Sequence, residues 1–167
     1  ANVTANITAK SLTVSGVRAS DKTYDGSVTA TMNGNSAVYS GFVPGDDFVA
    51  SYSGVFANAN AGTGKTVTIT SSYSGADVSN YNITDQTSTT ANISAKALTA
   101  TASASNKVYD GSSAATSTLT LSGFVGSETV TSTNSSTFNN KNAGTGKTVT
   151  VNSISLADGT NGGLAAN

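Results

Sequence analysis

Asn60-Ala-Gly-Thr-Gly-Lys-Thr-Val-Thr68 returns unchanged as Asn142-Ala-Gly-Thr-Gly-Lys-Thr-Val-Thr150. The stretch runs on as Thr66-Val-Thr-Ile-Thr70 in the first copy and Thr148-Val-Thr-Val151 in the second. Strict alternation of this kind predicts a strand that buries Val and Ile and exposes Thr. Outward from that stretch, Gly41-Phe-Val43 matches Gly123-Phe-Val125, and Lys22-Thr-Tyr-Asp-Gly-Ser27 matches Lys107-Val-Tyr-Asp-Gly-Ser112. Asn6-Ile-Thr-Ala-Lys10 matches Asn92-Ile-Ser-Ala-Lys96. From the N-terminal match onward the offsets are 86, 85, 82 and 82 residues, so the copies are collinear with short deletions. A fixed period marks one folding unit repeated along the chain. For 167 residues, two small domains fit better than one.

Composition points to strands. Val (15) outnumbers Leu (6), and Ser and Thr together number 53. Side chains branched at Cβ suit a pleated sheet better than a helix. Leu, Ile, Val and Phe total only 31, which implies thin cores in units already near the lower size limit. A net charge of −1 removes the high charge that would turn this composition toward disorder. It also leaves no strong field for nucleic acid or anionic membrane. Without Cys there is no disulfide framework, and without His the commonest general base and metal ligand is missing. Ser-His-Asp chemistry is excluded on the same ground. No apolar run approaches a membrane span. Neither a charged n-region nor an apolar h-region opens the chain, so it reads as a mature or excised segment.

Alternating runs predict strands at Leu12–Val14, Val28–Met32, Phe48–Tyr52, Thr66–Thr70, Tyr81–Thr84 and Thr89–Ser94 in copy one. Copy two repeats them at Leu98–Ala100, Thr116–Leu121, Thr129–Thr133 and Thr148–Val151. Helical turns are conceivable only at Ala76–Tyr81 and Leu156–Asn167. Residues 1–10 align with 87–96, so residues 1–8 read as the closing strand of a preceding unit. Repeat 1 then spans 9–94 and repeat 2 spans 95–167, the latter lacking counterparts of 81–94. An unfilled edge is expected in repeat 2, and with it strand exchange between molecules through residues 1–8. The junction Ile93-Ser-Ala-Lys-Ala-Leu98 has no Gly or Pro and reads as a stiff, extended seam. The fold class is mainly β: two small tandem domains, immunoglobulin-like sandwiches (alternatively β-grasp-like sheets), in an elongated arrangement.

The motifs read as structure. Ala-Gly-Thr-Gly-Lys-Thr resembles a phosphate loop, but Ala59 and Lys141 stand where the first Gly belongs, and a strand follows instead of a helix. Gly62, Gly64, Gly144 and Gly146 are expected to supply positive φ in turns. Asp25-Gly26 and Asp110-Gly111 are turn chemistry, with Tyr24 and Tyr109 as core anchors. Lys22 and Lys107 share the face of their tyrosines. Asp46 and Asp47 suggest calcium, yet Ser127-Glu128 replaces them in copy two, so a solvated loop is preferred. A Lys–Asn crosslink involving Lys22 or Lys65 is conceivable on paper, and the sequence selects no pair. Asn2, Asn6, Asn82, Asn92 and Asn134 open Asn-x-Ser/Thr triplets that a chain this rich in Asn, Ser and Thr produces by chance. No catalytic residue, metal ligand or cofactor follows from any of these.

Together, Lys-x-Tyr-Asp-Gly, Gly-Phe-Val, Asn-Ala-Gly-Thr-Gly-Lys-Thr-Val and Asn-Ile-Ser-Ala-Lys resemble the YDG-type repeat of large secreted bacterial adhesins of the filamentous-haemagglutinin kind. The resemblance covers residues 9–167. It implies an exported array at the bacterial cell surface, with a stalk that supports cell-surface or biofilm-matrix attachment and carries no catalysis. Expected partners are neighbouring repeats of the same chain and a host or matrix glycan or protein. The rival reading is a carbohydrate-binding module in which exposed Tyr39, Tyr52 and Tyr73 stack on sugar rings.

Overall fold

A computed structural model describes all residues, Ala1–Asn167, and the chain divides into two compact units, Ala1–Ser94 and Ala95–Asn167. Both are built from strands, as the β-branched composition requires.

Unit 1 runs β1 (Lys10–Ser15), β2 (Arg18–Ala19), β3 (Lys22–Thr23), β4 (Thr29–Ala30), β5 (Met32–Asn33), β6 (Val38–Ser40), β7 (Val49–Phe56) and β8 (Gly62–Ser74). A 3-10 turn at Val78–Asn80 follows, then β9 (Tyr81–Thr84) and β10 (Ser88–Ser94). One sheet has the order β6-β1-β9, with β1 and β9 parallel from Lys10↔Tyr81 to Thr13↔Thr84. The larger sheet has the order β3-β10-β8-β7-β4. In it β10 lies antiparallel to β8 and parallel to β3. The expected strand over Val28–Met32 is split, because β4 pairs with β7 while β5 pairs with β2 in a separate ribbon.

The alternation in β8 and β10 sets the core. Val67 and Ile69 of β8, and Ala91 and Ile93 of β10, are buried, while the residues between them face outward. Val14 of β1, Val17 and Ile69 form one cluster, with Met32, Tyr39, Tyr52, Tyr73 and Ile83 packed against it. Both sheets of unit 1 therefore contribute to a single core. Gln86 closes one end: its side chain accepts from Val17 N–H and donates to Val17 C=O, both at 2.9 Å, as a neighbouring strand would.

Unit 2 comprises β11 (Thr99–Ala104), β12 (Ala114–Ala115), β13 (Ser117–Ser122), β14 (Val130–Phe138) and β15 (Val149–Asp158). Its sheets are β11-β13 and β12-β14-β15. The helical turn conceived for 156–167 begins instead as the end of β15. Every buried apolar side chain of the chain belongs to unit 1, and the one buried polar side chain, Ser136, belongs to unit 2.

The duplicated nine residues adopt two conformations. In unit 1, strand begins at Gly62; in unit 2, it begins only at Val149. The difference is β10, which pairs with residues Gly62 to Thr68 from Ile93 back to Ser88. Residues 1–8, expected as a closing strand, have no strand partner, with Val3 and Ile7 almost fully exposed. Identical sequence becomes strand where a partner satisfies its backbone, and not elsewhere.

Two outcomes follow. In hydrogen exchange, amides of residues 62–66 should exchange on the order of 100-fold more slowly than those of 144–148, as paired and unpaired backbone differ in opening free energy. Ile93→Ala should destabilise unit 1 by about 2–5 kcal/mol in urea unfolding, with little change in the signals of unit 2.

Candidate functional site

The residues singled out in the sequence assemble into two kinds of lysine-centred turn. In the first, Asp25 Oδ1 accepts from Ser27 N–H at 2.8 Å, closing an Asx turn over Gly26, whose φ is 75°. Lys22 Nζ donates into that turn, to Asp25 Oδ1 at 2.6 Å, Ser27 O at 2.8 Å, Ser27 Oγ at 3.0 Å and Thr29 O at 3.2 Å. The ammonium also lies 5.7 Å from the centroid of the Phe56 ring. Unit 2 repeats the arrangement. Lys107 Nζ reaches Asp110 Oδ1 and Ser112 O, both at 2.9 Å, and sits 5.8 Å from the Phe138 centroid. Asp110 Oδ1 accepts from Ser112 N–H at 2.9 Å, and Gly111 has φ 78°.

In the second kind, Lys65 Nζ donates to Asn58 Oδ1 at 2.6 Å, and Asn60 N–H donates to the same oxygen at 3.1 Å. In unit 2, Lys147 Nζ donates to Asn140 Oδ1 and, at 2.6 Å, to Asn142 O. Of the four glycines in this loop, Gly64 (φ 60°) and Gly146 (φ 65°) carry positive φ. Gly62 lies inside β8 and Gly144 has no positive φ, contrary to expectation, because the loop needs only one left-handed residue before its lysine. Both ion pairs of the chain, Lys22–Asp25 and Lys107–Asp110, lie at the other turns.

The two tyrosines of the turn motif differ. Tyr24 is buried, and its N–H donates to Ser94 O of β10 at 2.8 Å. Tyr109 is 61% exposed, so the expected core anchor is missing in unit 2. The reason is that the Tyr24 backbone is held by β10, and unit 2 has no strand in that position.

The tyrosines considered for sugar stacking are not exposed. Tyr39, Tyr52 and Tyr73 are half-buried against the Val14–Val17–Ile69 cluster. Phe48 stands among Tyr39, Phe42, Tyr73 and Tyr81 with ring centroids 5.3–5.9 Å away. Their hydroxyls are engaged as well: Tyr39 with Tyr52 at 2.9 Å, Tyr73 with Asp85, and Tyr81 with Asp46 at 2.5 Å. The Asp46–Asp47 loop is largely exposed, as expected, and is also tied to the fold, since Asp47 Oδ2 accepts from Ala76 N–H at 2.9 Å. Sequence reasoning missed this aromatic cluster, because its members come from separate elements with no common period.

A family model for the YDG domain matches residues 8–91 and, a second time, 94–167. The chain belongs to the YDG domain family. No curated protein and no solved structure matches it. In both YDG domains the Tyr-Asp-Gly residues thus form the bend that receives the lysine.

Electrostatics follow from these contacts. The hydrogen bond from Lys22, then that from Ser27 N–H, holds the Asp25 carboxyl below its ordinary 3.8. Lys107 and Ser112 do the same for Asp110, and Asn92 for Asp21. Desolvation raises Tyr52, and it raises Tyr73 to about 12 with help from Asp85. Depressed carboxyls contribute stability above their ordinary value, and that contribution is lost as pH falls through the lowered one. Raised phenols contribute below pH 10 and lose it as pH rises through the folded value. Acid unfolding should therefore set in below about pH 4 and alkaline unfolding of unit 1 above about pH 10, read by circular dichroism. Lys22→Ala should lower unit 1 stability by about 1–2 kcal/mol, a charged hydrogen bond discounted for solvent screening. Asp25→Asn should remove the part of the acid sensitivity due to that turn.

Proposed function

We propose that this pair of YDG domains is a length of stalk in a secreted bacterial surface adhesin. The stalk projects a distal binding region and supports attachment to cells or biofilm matrix. One observation carries the reading: the side chains that recur in both units close turns within their own unit. Lys22 and Lys107 hold Asp-Gly bends, and Lys65 and Lys147 hold asparagine loops. Repetition of such residues multiplies architecture and leaves no repeated reactive group to serve a substrate. A low-charge chain rich in Ser and Thr, with no thiol to oxidise, is compatible with an extracellular setting.

The finer fold reading goes with this role. Two packed sheets in unit 1 favour a sandwich of immunoglobulin type, since a β-grasp needs a helix across its sheet and the only helical residues are Val78–Asn80. Units of this kind placed end to end supply length, each about 35–45 Å if its strands run 10–12 residues along the axis. Inward packing of Tyr39, Tyr52 and Tyr73 removes the support for a sugar-stacking face.

Small-angle scattering tests the extended arrangement. A compact globule of this length has a radius of gyration of about 15 Å, and the stalk reading expects a value above about 20 Å. Antibody raised against the pair should label intact cells of the source bacterium. Labelling only after lysis would overturn the surface assignment.

A further inference from the structure

The bend between β5 and β6 in unit 1 has no counterpart in unit 2. The sheet registers align the two units on either side of it. Arg18↔Asn33 of β2 and β5 corresponds to Ser103↔Thr118 of β11 and β13. Val38, opposite Ser15, corresponds to Thr120, opposite Thr101. Leu119 alone therefore stands where unit 1 has Gly34-Asn35-Ser36-Ala37. The longer bend follows an asparagine with a glycine, and it sets that asparagine opposite Arg18, the single arginine of the chain. Unit 2 forms its ladder with neither residue, so the pair is not needed for the shared architecture.

The local geometry suits a reaction between neighbours. Asn33 is the last residue of β5 and is exposed, and Gly34 lies just beyond the strand. Asn33 Oδ1 accepts from Asn35 N–H at 2.9 Å. That bond folds the amide back over the bend and puts a donor on the oxygen where negative charge gathers when Cγ is attacked. Gly34 has no Cβ to shield its nitrogen. The other Asn-Gly pair, Asn161-Gly162, is held differently. Asn161 Nδ2 donates to Ser127 O at 2.9 Å, which ties its amide to another segment.

We propose that Asn33 is a site of self-modification, where the chain converts its own amide to a carboxylate that pairs with Arg18. The Gly34 nitrogen bonds to Asn33 Cγ and gives up its proton. The Cγ–Nδ2 bond breaks, and Nδ2 leaves with that proton as ammonia. Water then opens the five-membered imide. Addition at Cγ restores the main chain and leaves aspartate, whereas addition at the main-chain carbonyl leaves isoaspartate, with the chain running through Cγ. The net change is amide plus water to acid plus ammonia, a gain of about 1 Da and one negative charge. Aspartate is the product that the bend accommodates. A Cβ on Gly34 would lie 2.9 Å from Tyr52 Cε2, and one on Gly16 would lie 2.3 Å from Ser36 O, so a main chain lengthened by one carbon meets crowding on both sides. Aspartate leaves the backbone as it is and faces an arginine that neither ion pair of the chain uses. Opposite charges directly across a ladder attract, and at an exposed site salt screens the attraction. Unit 1 thereby acquires a cross-strand ion pair with age and without an enzyme.

The purified 167-residue chain is the material for the test. Held in mildly alkaline buffer, which favours loss of the Gly34 amide proton, it should gain about 1 Da in the peptide containing Asn33 before the peptide containing Asn161. Asn33→Gln, which cannot close the five-membered ring, should leave its peptide unchanged. Asn33→Asp should raise the urea midpoint of unit 1 at low salt, and either high salt or Arg18→Ala should abolish that gain. An Asn33 amide that persists as long as that of Asn161 overturns the proposal. So does a midpoint that Asn33→Asp leaves unchanged, or raises equally in the absence of Arg18.

Discussion

The insertion of β10 between β8 and β3 is the contact on which unit 1 depends. It supplies hydrogen bonds to the first half of β8 and to β3, and its Ala91 and Ile93 complete the larger sheet's inner face. Through Ser94 O it also fixes the backbone of Tyr24, which places the buried ring of the Tyr-Asp-Gly turn. In a unit of this size, with few large apolar residues, loss of one central strand exposes much of the core. Unit 2 illustrates the result: residues matching Tyr24, Val67 and Ile69 are more exposed there, and the duplicated loop does not become strand.

Local and long-range contributions separate cleanly across the two YDG domains. Turns that a lysine closes within eight residues survive in both units with nearly equal distances. Strands that need a partner from 20 or more residues away form only where that partner is present. Side-chain capping of a bend involves little loop-closure entropy, whereas sheet pairing does, so the turns persist where the sheet does not.

Much of this was legible in the residues, and the failures have physical causes. Alternation located β1, β7, β8, β9 and β10, and Asp-Gly located both bends. Short strands such as β3 and β6 were not seen, because two or three residues carry no period and owe their state to neighbours. Tyr109 reads by analogy with Tyr24 as a core anchor, and tertiary context overrides the analogy. Tyr39, Tyr52 and Tyr73 look exposed in the rival sugar-binding reading, because a half-buried aromatic on an alternating strand looks the same on either face until the facing sheet is known. Asp46 and Asp85 find their phenol partners across 35 and 12 residues, a distance that no local pattern encodes.

Two of the ladders in unit 1 are parallel: β1 with β9 and β3 with β10. Tension entering at Lys10 and leaving at Ser94 runs along the β3–β10 pair in opposite senses. Every bond of that pair then carries load at once, as in a lap joint, where an antiparallel hairpin pulled at its ends would open bond by bond. The short parallel edge makes the unit's resistance to pulling depend on strand direction more than on the number of bonds.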